Sequence, residues 1–421
     1  MQFVRMPRRR FVARLVVAVV GTTLMAAAFA QSPDPRAPTP LREALQAAWR
    51  QHPTYQSTES QLSAARARRD AAGRPLYNPE LVFDYENEGT DRTATAGVDL
   101  TLDINGKRRA REASATARLD EATARAHLQR RDFAKDWFAA LADWIRASER
   151  VRTGERRIGL LSRFAELAQK QFAADDISGL DRDLALLARD EAEAEQATLL
   201  ADQAEAAARF RSAGGDPAMA TLPEVALPAP LSNGDSEAAP EIAVALAAAS
   251  AAEREVDVAR KARTADPTVG LRGGRVEYDD LARDNVVGFT VTIPLNIRNG
   301  YRAEVVAAEA DAVTARADAD RIKLQLDAER QRAIDSYAST RAAWTRWTGS
   351  RGTDVGRREA LLERLWREGE LSTADYLLQL KQSLDTELAR AELQARTWRA
   401  YADYLAATGQ LERWAGLEGT P

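Results

Sequence analysis

The chain has 421 residues, enough for two or three ordinary domains or one long repeated architecture. Only 6% of residues are aromatic, while Ala, Arg, Glu and Leu dominate long stretches, a composition of long helices rather than of a mixed α/β enzyme. The net charge is −4 and there is no cysteine, which excludes disulfides, Cys-based metal sites and a lipid-modified N-terminal Cys.

At the N-terminus, Arg5, Arg8, Arg9, Arg10 and Arg14 precede an apolar run from Leu15 to Met25. Ala28-Phe29-Ala30 supplies the small-x-small pattern read by signal peptidase, so residues 1–30 are expected to be a signal peptide cut after Ala30. The competing reading is a membrane anchor, but 11 apolar residues are too few to cross ~30 Å of hydrocarbon. Removing five arginines and no acids leaves a net charge of −9, which argues against nucleic acid as a partner. No later segment approaches about 18 consecutive apolar residues, so any membrane crossing would be made by a β-barrel.

Two copies of one plan follow. The first, residues 31–214, opens with an amphipathic helix over Leu41–Gly73 and turns at Asn78-Pro79. A strand pair within 79–104 comes next, then a corner at Asn105-Gly106, a long helix and a returning helix. Residues 215–240 carry Pro217, Pro223, Pro228, Pro230 and Pro240 and read as a linker. The second copy, residues 241–409, repeats the order: a helix over Glu241–Thr264, Asp266-Pro267, a strand pair within 267–295, a corner at Asn299-Gly300 and two helices. Residues 410–421 form a tail. Gly106 and Gly300 lie 194 apart, and so do Ile177 and Leu371, Ser178 and Ser372, and Asp181 and Asp375.

Each corner is 72 residues from its Ser marker, and a continuous helix of that length would reach ~108 Å. Such a rod needs neighbours. Ile158, Leu161, Ala165, Ala168 and Phe172 run near a heptad, and Leu377, Leu384, Ala391 and Trp398 recur every seven, which implies coiled-coil packing. Taken alone, this favours a free-standing coiled coil.

The strand runs add what a coiled coil lacks. From Ala94 to Ile104, Val98, Leu100 and Leu102 alternate with Thr95, Asp99, Thr101 and Asp103. The second run sets Val287, Phe289, Val291 and Ile293 against Thr290 and Thr292. About ten residues with one oily and one small, polar face form the unit of a membrane barrel, the oily side facing lipid and the other the lumen. The run Thr268 to Tyr278 alternates poorly because Gly270, Gly273 and Gly274 interrupt it. Four strands cannot close a barrel alone, so several copies must pool them. A small water-soluble β-domain is the alternative.

His52-Pro53, Asn78-Pro79-Glu80-Leu81, the run Asp103-Ile104-Asn105-Gly106-Lys107-Arg108 and Ile293-Pro294-Leu295-Asn296 together resemble the TolC family of outer-membrane efflux proteins over essentially the whole mature chain. The tips, Phe172 to Ser178 and Trp366 to Ser372, each followed by an Asp at the third position on, carry the resemblance furthest. It implies a mainly α fold with a small β part: duplicated long helical hairpins forming a trimeric α-barrel tunnel, with four strands per protomer contributing to a 12-stranded outer-membrane β-barrel. It also implies a homotrimer in outer-membrane lipid, a periplasmic adaptor and an inner-membrane pump of the RND type. By the same match, Asp175, Asp176, Ser178, Asp181, Gly369, Glu370, Ser372 and Asp375 belong to the periplasmic gate and adaptor-docking tips, with Asp181 and Asp375 in acidic rings. Asp175-Asp176 departs from the Gly-containing tip of many relatives. The Asn-Pro-Glu-Leu start and Gly-Glu-Leu-Ser tip are most similar to outer-membrane subunits of cobalt–zinc–cadmium type exporters.

No catalytic, cofactor or metal site is expected. His52 and His127 are the chain's two histidines, too few for a zinc constellation. Gly273-Gly274 sits in a strand and Gly214-Gly215 ends a helix, so neither is a phosphate-cradling loop. The competing function is a periplasmic coiled-coil adaptor or scaffold without a membrane barrel.

Overall fold

The computed structural model describes residues 36–89, 91–218, 239–278, 282–349 and 355–418; the expected signal peptide and most of the linker lie outside them. The first half contains α1 (Thr39–Gln51), α2 (Pro53–Ala72), β1 (Glu80–Glu88), β2 (Asp91–Thr101), α3 (Lys107–Ala173) and α4 (Gly179–Ser212). The second contains α5 (Pro240–Ala262), β3 (Thr268–Tyr278), β4 (Ala282–Thr292), α6 (Arg302–Gly349), α7 (Val355–Arg367) and α8 (Thr373–Ala407), and α9 (Leu411–Ala415) follows. Among the described residues no helix is long and apolar enough to cross a membrane.

The opening helix is broken where one was expected. Pro53 has no N–H and disfavours the α region at His52, so His52 becomes extended, ending α1 and starting α2. Its Nδ1 accepts the Thr54 amide at 3.3 Å, capping the second helix. By contrast α3 runs unbroken for 67 residues, about 100 Å. In the second half the described helix is 48 residues long and ends at Gly349, with α7 resuming at Val355.

The four strands form one antiparallel sheet in the order β1-β2-β3-β4. Its central pairing, β2 with β3, joins the two halves, and β1 and β4 lie at its edges. Both β2 and β4 end earlier than their alternation suggests. β2 stops at Thr101 because the Asp103 carboxylate accepts the Lys107 and Arg108 amides, each at 2.8 Å, and turns the chain into α3. β4 stops at Thr292, two residues before Pro294, which cannot donate to a ladder. Leu102, Asp103 and Ile293 therefore lie just beyond the strands rather than within them.

Beside the sheet, α2 packs on α3, α3 on α5, and α5 on α6, making a wall of helices. Toward the other end, α3 packs with α4 and α8, and α7 with α8. Two apolar cores lie along this length. The first gathers Trp49, Phe133, Trp137, Phe138, Tyr337, Tyr401 and Trp414. The expected tail is part of it: Leu411, Trp414 and Leu417 are buried, and the Ala37 amide donates to the Trp414 carbonyl at 2.8 Å. The second lies at the far ends of the hairpins, where Leu161, Phe164, Trp366, Tyr376, Leu380 and Leu384 meet.

Candidate functional site

The two hairpin tips are built alike. Helix α3 is followed by Asp175 at φ 55°, and α7 by Gly369 at φ 74°. In both, the residue after the left-handed one returns its amide to the helix, Asp176 to Gln171 and Glu370 to Leu365, each at 2.9 Å. Ser178 then caps α4 by accepting the Asp181 amide at 3.1 Å, and its hydroxyl donates to the Asp181 carboxylate at 2.6 Å. Ser372 does the same with Asp375, at 3.1 and 2.7 Å. Each Ser–Asp pair supplies an acceptor for one of the helix's free amides, and the carboxylate, held by the Ser hydroxyl, puts a negative charge on the helix's positive end.

The Ser178 hydroxyl holds the Asp181 carboxyl below its ordinary value; slight burial opposes this and the Thr373 hydroxyl adds to it. Thr373 also accepts the Trp366 indole N–H at 3.2 Å. Thr373, opening the returning helix of the second hairpin, thus lies beside Asp181 of the first. Below them Phe164 lies 4.5 Å from the Trp366 ring and 4.5 Å from the Tyr376 ring, centre to centre. Phe172, at the position matching Trp366, is instead half-exposed under the Arg182 guanidinium, 4.3 Å from its ring centre. The structure brings Ser178 and Asp181 together, and likewise Ser372 and Asp375. Asp175, Asp176, Gly369 and Glu370 form the turns.

At the opposite end the sheet has two distinct faces, fixed by its register. Leu81 pairs with Val98, Val98 with Leu271, and Leu271 with Phe289, so all four share one face. Phe83 and Val287 follow one step toward the loops, and Leu100, Val269 and Val291 one step toward the helices. This face is exposed: Leu81 is 74%, Phe83 76%, Val287 79% and Phe289 71% accessible. Such a continuous apolar surface marks an interaction or membrane face. The other face carries Thr95, Asp99, Thr101, Thr290 and Thr292 as expected, together with Arg272. Asp103 does not join it; its carboxyl is a helix cap, held below the ordinary value where burial is outweighed by the amides of Arg108, Lys107, Gly106 and Asn105.

Sequence reasoning missed three features. The Thr373 link was invisible because it depends on two distant segments meeting. The role of β3 was obscured by Gly270 and Gly274, which lie on the polar face, although Val269 and Leu271 keep the apolar parity. Finally, α6 exposes Val306, Val313 and Leu324, a seam that could have been read from the spacing of Val306 and Val313. No group of three or more His, Cys, Asp or Glu among the described residues could hold a metal ion.

No protein-family model matches the chain. Its architecture matches solved outer-membrane proteins. Against VceC from Vibrio cholerae the TM-score is 0.68 at 19% identity, covering 88% of this chain and 96% of that one. Against the CmeC outer-membrane channel of Campylobacter jejuni it is 0.73 at 13% identity, covering 88% and 86%. The chain therefore has the fold of TolC-like outer-membrane channels: two helical hairpins continued by a small sheet.

In sequence it is similar to the cobalt-zinc-cadmium resistance protein CzcC of Cupriavidus metallidurans, 28% identical over 264 residues. That match spans 60% of this chain and 62% of the relative, under two thirds of the latter's length. Two hairpins pack side by side in this chain, joined at their far ends by one apolar core.

Proposed function

We propose that the chain is the outer-membrane duct of a tripartite efflux system, conducting solute passively from an inner-membrane RND-type pump and a periplasmic adaptor to the exterior. One observation carries this: a four-stranded sheet with one exposed apolar face, one polar face and two edge strands, attached to hairpins about 100 Å long. Open sheet edges are not tolerated in lipid, so β1 of one copy must pair with β4 of the next. Three copies give twelve strands, an even number above the minimum of about eight. The exposed Val306, Val313 and Leu324 seam on the outer helix α6 supports the same neighbour contact.

In this reading Val98, Leu100, Val287, Phe289 and Val291 face lipid, with Leu102 and Ile293 at the band's inner margin. Thr95, Asp99, Thr101, Thr290 and Thr292 face water in the lumen. The tips close the periplasmic end and meet the adaptor, and they open when the cross-hairpin contacts at Thr373 separate. Asp181 and Asp375 present carboxylates there and favour cations by field rather than by ligation. An N-terminal signal peptide cut after Ala30 would deliver the chain to the envelope.

The likeness to a cobalt-zinc-cadmium resistance protein supports heavy-metal cations as the cargo. A strain lacking the gene should lose tolerance to zinc, cobalt or cadmium and regain it when the gene is restored. Unchanged tolerance to all three would count against the cation cargo.

A further inference from the structure

The polar face of the sheet holds one arginine among acids. By register, Glu80, Asp84, Glu86, Asp99 and Asp284 lie on it, and Arg272 is its only cation among the described residues. Arg272 reaches sideways rather than outward. Its guanidinium lies 3.2 Å from the Asp84 carboxylate and 3.4 Å from that of Asp99.

Gly97 clears the space for this. Gly97 and Gly288 sit directly opposite Arg272 on its two neighbouring strands, and Gly270 and Gly274 flank it along its own. A Cβ at Gly97 would come within 2.5 Å of the Arg272 Cγ and of the Leu271 carbonyl oxygen. A Cβ at Gly288 would meet nothing within 4 Å. The arginine stem therefore lies across Gly97, pressed flat against the sheet toward β1 and β2.

We infer that Arg272 is a selectivity-setting residue of the barrel interior: laid across Gly97 and held on Asp84 and Asp99, it keeps its own charge at the wall and leaves an acidic lumen that admits cationic solutes. Freed from those contacts, the same side chain would project three positive charges, one per protomer, into the passage. This inference rests on the duct reading.

The cysteine-free chain gives a direct test. Thr290→Cys places a thiol on the polar face beside Gly270, opposite Asp99. In outer-membrane vesicles its reaction rates with cationic and anionic methanethiosulfonate reagents of equal size report the local field, independently of the periplasmic gate. The cationic reagent should react faster. Arg272→Ala should raise that preference roughly threefold or more, and Asp84→Asn with Asp99→Asn should lower it by a similar factor. The deciding variant keeps the charge: Arg272→Lys cannot fork across Asp84 and Asp99 together and should lower the preference, whereas Gly288→Ala should leave it unchanged.

An Arg272→Lys preference equal to that of the parent, or an anionic preference in the parent, overturns the inference. Failure of the duct reading looks different: Phe289→Cys, on the apolar face, would then react as fast as Thr290→Cys.

Discussion

Asp175 and Gly369 occupy the same left-handed backbone position 194 residues apart, at φ 55° and 74°. Left-handed backbone costs an L-residue roughly 1–2 kcal/mol, less for Asp, whereas glycine adopts it freely. The two tips share the turn, but only the second carries the residue that fits it best. Asp175→Gly should therefore stabilise the first tip by up to about 1 kcal/mol. Gly369→Ala should cost about 1 kcal/mol at the second, through the backbone alone, because nothing lies within 4 Å of its added Cβ. Amide hydrogen exchange at the two tips measures both shifts.

The Ser caps should be separable in the same way. Ser178→Ala and Ser372→Ala each remove one acceptor for a first-turn amide and should cost about 1 kcal/mol, with faster exchange at Asp181 and Asp375 respectively. The two effects should couple rather than simply add, since Thr373, next to the Ser372 cap, lies beside Asp181.

Asp181 carries a pH prediction with a definite sign. Its folded carboxyl titrates below the ordinary 3.8, chiefly through the Ser178 hydroxyl. A depressed folded value means the stabilisation is fully present above the unfolded value and is lost as pH falls through the folded one. The contribution of Asp181 to tip stability should thus persist through neutral pH and disappear only in acid below 3.8, and Asp181→Asn should remove that dependence. An NMR titration of the carboxyl tests it.

Thr373→Val should weaken the contact between the hairpins. It leaves the Trp366 indole N–H buried without its acceptor, at a cost of about 1–3 kcal/mol, and lets the Asp181 carboxyl rise toward its ordinary value. A drop in thermal midpoint together with that titration shift is the expected signature. A drop without the shift would confine Thr373 to the second hairpin.

Much of this architecture is legible in the chain itself. Alternation at Val98 and Leu100, and again at Val287 and Phe289, identifies the exposed apolar face because burial preference on a strand has a period of two. The same rule overruns its element at Asp103: an acidic helix cap happens to fall on the parity of the acidic face, so only the hydrogen bonds to Lys107 and Arg108 distinguish them. The break at His52 follows from Pro53, yet the apolar spacing continues across it and hides it. Arg272 is harder still, since a glycine carries no pattern of its own and the purpose of Gly97 emerges only when register sets it opposite the arginine.

Asp103→Ala offers a check on that reassignment. It should destabilise the start of α3 by about 1–2 kcal/mol through the two lost amide bonds. It should also leave the reagent preference at Thr290→Cys unaltered, because Asp103 lies beyond the strand.

The native mass of the mature protein, extracted in detergent from purified outer membranes, tests the central claim most directly. A shared barrel predicts a trimer recovered from the outer-membrane fraction. A monomer or dimer released in the soluble periplasmic fraction would contradict it, leaving a sheet whose apolar face must be covered by something other than lipid.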